Sequence, residues 1–312
     1  MGRFITKHSP LFILAALCIV LAFVSDVFRS PANLQGVAQR TAVIGIMAIG
    51  QLAVILTAGI DLSVGSVAAL SGVVGCLAMV NYNVPVIPGI AIGTSVGLTC
   101  GLINGLLVAK GRIPPFIVTL GMMMVARGFT LIFSGATAVF GLPPAFAWLG
   151  GARAWWLPTG LMFGFAVAFA VVLNFTRFGR SLYAVGGNRE AARLSGISVD
   201  RVRIAAFTIS GACAGFAGMM LASRTSVASP TGGEMYELYA IAACVIGGAS
   251  LMGGEGGALA AVAGALIMTV LRNFCNLQNI NVHWQQILVG TLLIVLVFYD
   301  NRRKRRAGLL RD

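Results

Sequence analysis

Apolar residues dominate the chain in long runs that are separated by short polar stretches. Most runs are close to the length of about 20 apolar residues with which a helix crosses the hydrocarbon core of a bilayer. Ten such segments occur, at residues 10–28, 41–58, 64–80, 86–109, 115–134, 157–175, 204–223, 238–252, 256–272 and 285–300. The pattern therefore predicts an all-α integral membrane protein, a polytopic bundle of about ten transmembrane helices.

Two of these segments differ from the others in length and composition. Segments 238–252 and 256–272 are short, rich in glycine and nearly continuous. They either cross the membrane twice or form a hairpin that does not fully cross. Both arrangements are possible physically, because non-helical backbone is tolerated at membrane depth where it is buried in protein.

The basic residues are distributed unequally between the two sides of such a bundle. If the N-terminus is inside, the inside connections contain sixteen of the 22 lysines and arginines. The outside stretches contain five, which are Arg29, Arg40, Arg153, Arg224 and Arg272. Because cytoplasmic loops are enriched in Lys and Arg, we expect both termini to be cytoplasmic. Residues 1–312 then form one transmembrane domain, with a long cytoplasmic loop at 176–203 and a basic C-terminal tail at 301–312.

Composition excludes a soluble enzyme. The chain is 58% apolar and only 10% charged, whereas a soluble domain is about 25% charged. The net charge of +13 is explained by the lysines and arginines of the cytoplasmic connections, so we expect no nucleic-acid partner. The apolar composition leads us to expect membrane lipid around the chain. The six cysteines lie in or beside apolar runs without a CxxC pair, which is typical of small core residues.

Catalytic motifs are not apparent. No GxxxxGK[ST] phosphate-binding loop occurs, so the chain does not bind ATP in that way. The two histidines, His8 and His283, lie in the N-terminal tail and in an outside loop. We therefore expect no metal site, no histidine base and no enzymatic activity in this chain.

Glycine recurs at every fourth position of the fourth segment. Residues at i and i+4 share one face of a helix, and a bare face lets another helix approach closely. The row consists of Gly89, Gly93, Gly97, Gly101 and Gly105. Gly211, Gly215 and Gly218 form a weaker version in the seventh segment. These rows predict tight helix packing and say nothing about a substrate.

Asp61 lies in the short connection between the second and third segments, within the stretch 59–66. One alternative places it at the N-terminus of the third helix, where the helix dipole favours a carboxylate and Ser63 could cap the helix. The other places it within the membrane, where a carboxylate suggests a functional site. The sequence alone does not decide its depth.

A few further polar residues interrupt the apolar segments. Such residues line a transport pathway or hydrogen-bond to neighbouring helices, and together with Asp61 and Ser63 the candidates are Gln51, Ser71, Asn104 and Thr119. Arg127 is the one cation within a span. It pairs with an acid such as Asp61, extends to the membrane surface or faces an aqueous path.

The long inside loop contains a patterned stretch. Asn188 is a good N-cap, Glu190 falls in the first turn, where the dipole favours it, and Gly196 is a natural stop. This pattern predicts a short helix over 189–195 between glycine-rich hinges, with Ala191, Ala192 and Leu194 as small or apolar contact points. Such a helix is not needed to join two spans, so it either docks onto a partner or lies at the membrane interface.

Four motifs identify a resemblance. They are AGIDLSVGSVAALSG at 58–72, GRIPPFIVTLG at 111–121, FGRSLYAVGGNREAARLSGI at 178–197 and IAACVIGGASLMGGEGGALAAVAGALI at 241–267. Together they resemble the permease subunit of ribose-type bacterial ABC sugar importers, over nearly the whole chain. The resemblance implies about ten helices per subunit and dimerisation in the plasma (inner) membrane. The sequence does not decide between a homodimer and a heterodimer, although a single permease with these features favours a homodimer. The resemblance also implies two partner ATPase chains that bind ATP and Mg, no cofactor on this chain, and an extracytoplasmic sugar-binding protein.

The same resemblance assigns the ATPase-coupling helix. It corresponds to Asn188, Arg189, Glu190, Ala191, Ala192, Arg193, Leu194, Ser195 and Gly196. Gly187 departs from the family, which more often has a polar or bulkier residue there. Closure of the ATPases would push on this helix, so we expect Leu194→Asp or Ala192→Asp to uncouple ATP hydrolysis from uptake.

Two alternatives remain beside a sugar permease. One is a permease of the same superfamily for branched-chain amino acids or nucleosides. The other is an ion-coupled secondary transporter, which needs ionisable groups within the membrane and would have Asp61 and Arg127 as its candidates.

Overall fold

The computed structural model describes residues 14–151 and 154–306, which form helices and connecting turns without a β-strand. The helices are α1 Leu14–Val24, α2 Pro31–Leu56, α3 Val64–Asn81, α4 Val86–Ala109, α5 Pro115–Ser134, α6 Trp156–Phe175, α7 Arg177–Gly187, α8 Arg189–Leu194, α9 Val199–Thr225, α10 Tyr236–Ile246, α11 Ala258–Leu277 and α12 Val282–Arg306. Short 3₁₀ helices lie at Val27–Arg29 and Pro144–Trp148. The prediction of an all-α protein is confirmed.

Ten of these helices are apolar and correspond in order to the ten predicted segments. By length and composition, seven are able to cross a membrane: α2, α3, α4, α5, α6, α9 and α11. Shorter apolar helices are α1, α10 and the part of α12 at Val282–Phe298. Residues 10–13 of the first predicted segment, and 307–312 of the predicted tail, lie outside the described residues.

Helix α2 begins well before the predicted residue 41. Ser30 is its N-cap and accepts a hydrogen bond from Asn33 N at 3.3 Å, and Pro31 occupies the first turn. Serine followed by proline is a favourable helix start. The hydropathy pattern missed it because polar residues between 33 and 40 dilute the apolar run.

The segment 176–203 contains two helices rather than one. Thr176 caps α7 by accepting a hydrogen bond from Gly179 N at 3.1 Å, and Leu182 and Val185 bury one face of the helix. The prediction of a glycine-rich hinge before the short helix is therefore wrong. The two glycines at 186–187 form the last turn of α7, and Asn188 separates α7 from α8.

Helices α10 and α11 form an antiparallel hairpin. A Cβ atom at Gly264 would lie 2.0 Å from Ala243 O, and one at Gly247 would lie 2.3 Å from Ala260 O, so the two helices pack at backbone distance. Helix α10 has 11 residues and rises about 16 Å at 1.5 Å per residue. This is about half of a 30 Å hydrocarbon core. Helix α10 is therefore too short to cross the core by itself, which favours the alternative of a hairpin that does not fully cross.

The core is centred on α2, which packs against α6, α9, α10 and α11. Helix α9 in turn packs along α4 through the predicted glycine row. A Cβ atom at Gly97 would lie 2.3 Å from Gly211 O, and one at Gly101 would lie 2.3 Å from Phe207 O. These distances leave no room for a side chain, so glycine sets the separation of the two helices. All six cysteines are free thiols, and all except Cys18 are buried.

Candidate functional site

The connection between α2 and α3 folds into the bundle and places Asp61 in its interior. The side chain of Asp61 is 1% exposed. It is hydrogen-bonded to Ser210, which lies near the middle of α9. Asp61 is therefore level with the middle of α9, and it also lies two residues before the N-cap of α3, so it has features of both sequence alternatives.

The carboxylate of Asp61 is satisfied by hydroxyl and backbone donors. Its Oδ1 atom accepts hydrogen bonds from Ser63 N at 2.9 Å and Ser63 Oγ at 2.6 Å, and its Oδ2 atom accepts one from Ser210 Oγ at 2.9 Å. Ser63 occupies the N-cap position of α3, but its side chain makes no capping bond. The prediction that Ser63 caps the helix is wrong, because its hydroxyl donates to Asp61 and accepts from Asn104 Nδ2 instead of from a backbone N–H of α3.

Amide side chains from two further helices hold the same loop. With its amide oriented to satisfy both groups, Gln51 donates to Asp61 O and accepts from Asp61 N, both at 3.1 Å. Asn104 Nδ2 donates to Ser63 Oγ at 3.0 Å. We call Gln51, Asp61, Ser63, Asn104 and Ser210 the Asp61 cluster. It joins α2, α4 and α9 around the start of α3.

The other polar candidates lie outside this cluster. Thr119 is close by and donates to the backbone of the same loop, at Ile60 O, over 3.3 Å. Ser71 is buried, and its hydroxyl has no hydrogen-bond partner. Arg127 is half-buried and donates to Pro230 O. The acid that it interacts with electrostatically is Glu237, so Asp61 is not its partner.

Sequence analysis missed Ser210. It lies 149 residues from Asp61 along the chain, and serine is common in membrane helices that pack closely. Its neighbour Gly211 gives no usable signal, because adjacent residues do not share a face of a helix.

Helix α8 is the second candidate site, and it packs against α7 and α9. Asn188 Oδ1 accepts a hydrogen bond from Ala191 N at 2.9 Å, and Gly196 has a φ of +80°. The predicted N-cap and glycine stop are therefore confirmed. Eight of the nine residues from 188 to 196 are exposed. Leu194 is 84% exposed, whereas Ala192 is 4% exposed.

The α7–α8 arm is fixed to the end of α2. A Cβ atom at Gly186 would lie 1.8 Å from Leu56 O, so α7 contacts the end of α2 directly. Gly254 N also donates to Leu56 O at 3.1 Å, and Tyr183 Oη donates to Gly256 O at 2.8 Å. Burial raises the pKa of the Tyr183 hydroxyl, which keeps its proton available for this bond.

Comparison with known proteins identifies the class of this membrane protein. Residues 33–297 match the family described as the permease component of the branched-chain amino acid transport system. The chain belongs to this permease family. The permease is 39% identical to the ribose import permease protein of Escherichia coli over 303 residues, which are 93% of each chain.

Other relatives of the permease are similar over a comparable length. The ribose import permease protein of Bacillus subtilis is 38% identical, over 95% of this chain and 93% of its own. The L-arabinose ABC transporter permease protein of Azospirillum brasilense is 37% identical, over 98% and 91%. No solved structure matches the permease. The expected family is thus confirmed, and the permease is a multi-pass protein of the inner membrane.

Proposed function

We propose that the permease is the transmembrane subunit of an ATP-driven ABC importer for a monosaccharide such as ribose. The observation that supports this most directly is its similarity, over nearly the full length, to two ribose import permeases. Relatives named for D-allose and L-arabinose extend the set to other monosaccharides. An extracytoplasmic binding protein delivers the sugar, and a separate ATPase subunit binds ATP and Mg.

The proposed assembly contains two copies of this chain as a homodimer and two ATPase chains. In each copy the ten apolar helices form one transmembrane domain, and both termini are cytoplasmic. The charge distribution supports this orientation. Helix α12 continues from its apolar part to Arg306, which places the start of the basic tail directly after the last apolar segment.

In this assembly α8 docks onto the ATPase. Its capped ends favour a fixed short helix. Leu194 offers an apolar side chain to a partner, and the charged Arg189, Glu190 and Arg193 surround it on the exposed surface. An exposed leucine with a polar rim is typical of a protein interface.

The contacts around α7 provide a path for the motion. Closure of the ATPases pushes on α8 and moves α7 with it. Helix α7 meets α2 at the backbone of Gly186 and Leu56, with no flexible side chain between them. The end of α2 leads directly to the loop that carries Asp61, and the Asp61 cluster connects that loop to α4 and α9.

We assign a mechanical role to the Asp61 cluster on the same grounds. Gln51, Asp61 and Asn104 are enclosed. Gln51 bonds to the backbone of Asp61, and both Asp61 and Asn104 bond to Ser63. They hold the break between α2 and α3 so that a displacement at Leu56 moves α9 as well. We do not assign the cluster to the sugar pathway. A sugar that must be released again needs a path that is less enclosed than the Asp61 cluster and whose polar groups are less fully hydrogen-bonded.

The experiment compares Leu194→Asp with the volume-conserving Leu194→Met. The permease is purified in mild detergent to identify the ATPase that accompanies it. Uptake of labelled ribose, arabinose and leucine is measured in cells. Leu194→Asp is expected to lose both the ATPase and uptake, while Leu194→Met keeps both. Uptake of leucine alone favours the amino-acid permease, and transport by the chain alone without ATP favours the ion-coupled transporter.

A further inference from the structure

Three arginines meet at the end of the bundle that is opposite α8. They are Arg40 on α2, Arg224 at the end of α9 and Arg272 on α11. Helix α9 starts beside α8 and rises about 40 Å over its length, so the two sites are far apart. We call these residues the arginine cluster. They surround a cavity of about 90 Å³, which is also lined by Ile44, Tyr236, Thr269, Asn273 and Asn276.

The positive charge of the arginine cluster is not neutralised within the described part of the chain. No ion pair between described residues includes Arg40, Arg224 or Arg272. The ionisable groups that act on Arg40 are the other two arginines and Tyr236, without a carboxylate. Arg272 also stacks on the ring of Tyr239 at 4.3 Å, which offsets part of one charge. Half-buried like charges repel each other, so the cluster favours an added anion.

Hydrogen-bond donors at the cavity also lack acceptors. Asn273 is 4% exposed, and its Oδ1 accepts a hydrogen bond from Arg40 at 2.9 Å. Its Nδ2 group is thereby left buried without a partner. The Nε atoms of Arg224 and Arg272 are likewise buried without partners. Proteins leave few buried polar groups unsatisfied, and these three donors line one cavity.

We propose that this cavity binds a phosphate group. A phosphate group has several acceptor oxygens, with one negative charge in a phospholipid diester and up to two in inorganic phosphate near neutral pH, which matches three guanidinium groups and an amide donor. A carboxylate has only two oxygens to accept from these donors. A single water needs about 10–15 Å³ of such space, so the cavity is large enough for more than water. Asn276 is exposed, which opens the cavity to the surface.

The position of the cluster supports the same inference. Basic residues are disfavoured in the outside stretches, yet three of the five arginines predicted there meet at this cavity. An uncharged sugar does not require them, so the site is separate from the proposed sugar transport. Inorganic phosphate and the head group of a phospholipid share the chemistry, and the experiment distinguishes them.

The test uses the full-length permease in phosphate-free detergent buffer. Binding of radiolabelled inorganic phosphate is measured by equilibrium dialysis, and retained phospholipids are identified by mass spectrometry. Arg224→Gln removes a guanidinium, while Asn273→Asp keeps the bond to Arg40 and places a carboxylate at the cavity. Arg29→Gln is the matched control, because Arg29 is exposed and pairs with Asp26 elsewhere.

We expect Arg224→Gln and Asn273→Asp to weaken binding at least about tenfold, while Arg29→Gln does not change it. Asn273→Asp is also expected to remain folded, with a higher Tm in the absence of phosphate, because it supplies the missing negative charge. Saturable phosphate binding identifies the free ion. A phospholipid that is retained by the wild type and lost in both variants identifies the head group. If the wild type holds neither, or if both cluster variants bind as the wild type does, the proposal is overturned.

Discussion

Ser210 on α9 donates a hydrogen bond of 2.9 Å to Oδ2 of Asp61, although 149 residues separate the two in the chain. The bond ties the connection between α2 and α3 to the middle of α9. Among the residues that the structure describes, the partners of the Asp61 side chain are hydroxyl and backbone donors and no cation. Hydrogen bonds alone therefore hold this side chain, which makes the cluster sensitive to its shape and acceptor capacity.

Substitution of Asp61 should destabilise the permease in a graded way. Asp61→Asn keeps the volume and can still accept from Ser63 N, so we expect a cost of about 1–3 kcal/mol from weaker hydrogen bonds. Asp61→Leu leaves the donors of Ser63 and Ser210 without an acceptor and should cost more. Thermal unfolding in detergent measures both variants. Asp26→Asn, on an exposed aspartate, is the control, and an equal Tm for Asp61→Leu and the control would contradict the role of the cluster.

The glycine row on α4 gives a second prediction. Gly97→Ala places a Cβ atom 2.3 Å from Gly211 O, so α4 and α9 must separate, at a cost of about 1–3 kcal/mol. Gly121→Ala on α5 is the matched control, since nothing lies within 4 Å of its added Cβ. Alanine is favoured over glycine within a helix. We therefore expect Gly97→Ala to lower Tm and Gly121→Ala to leave it unchanged or raise it.

The sequence was sufficient for features that depend on local spacing. The glycine row, the Asn188 cap and the Gly196 stop follow from residues within a few positions of one another. Helix α7 could also have been predicted from the sequence, because Thr176 is a good N-cap and Phe178, Leu182 and Val185 share a face. It was missed because glycines at 186–187 suggested a hinge. In the structure Gly186 is instead required for close contact with Leu56.

Features that depend on distant contacts were not predictable from one sequence. Ser210 and Asp61 meet because α9 packs beside the α2–α3 connection, and no local pattern encodes that pairing. The arginine cluster is another example, since Arg40, Arg224 and Arg272 lie on three helices that are far apart in the chain. Ala192 and Leu194 lie two positions apart and therefore on opposite sides of a helix, but only the fold shows that Ala192 faces the protein and Leu194 faces outward.

The difference between Ala192 and its neighbours can be tested directly. Ala192 is buried beneath α8, so Ala192→Asp places a carboxylate among apolar groups without a partner and should lower Tm clearly. Ala191→Asp changes the adjacent residue, which is exposed, and should leave Tm unchanged. Thermal unfolding of the two variants decides the point. For this reason loss of uptake in Ala192→Asp does not by itself identify a docking contact, whereas loss in Leu194→Asp does.

The contact between Gly186 and Leu56 tests the proposed path of motion. Gly186→Ala would place a Cβ atom 1.8 Å from Leu56 O and 2.6 Å from Gly254 N, so α7 must move away from the end of α2. We expect a lower Tm, because both obstructing atoms belong to the backbone and cannot rotate away. In the assembled importer we also expect less sugar transported per ATP hydrolysed, because the α7–α8 arm no longer abuts α2.

Gly187→Ala is the matched control for this last prediction. It makes the same chemical change one residue further along α7, where nothing lies within 4 Å of the added Cβ. Both variants are reconstituted with the ATPase, and ATP hydrolysis and uptake are measured together. If α7 transmits the motion, Gly186→Ala retains hydrolysis and loses uptake, while Gly187→Ala retains both. Equal coupling in the two variants would show that the force reaches the bundle by a route other than the Gly186–Leu56 contact.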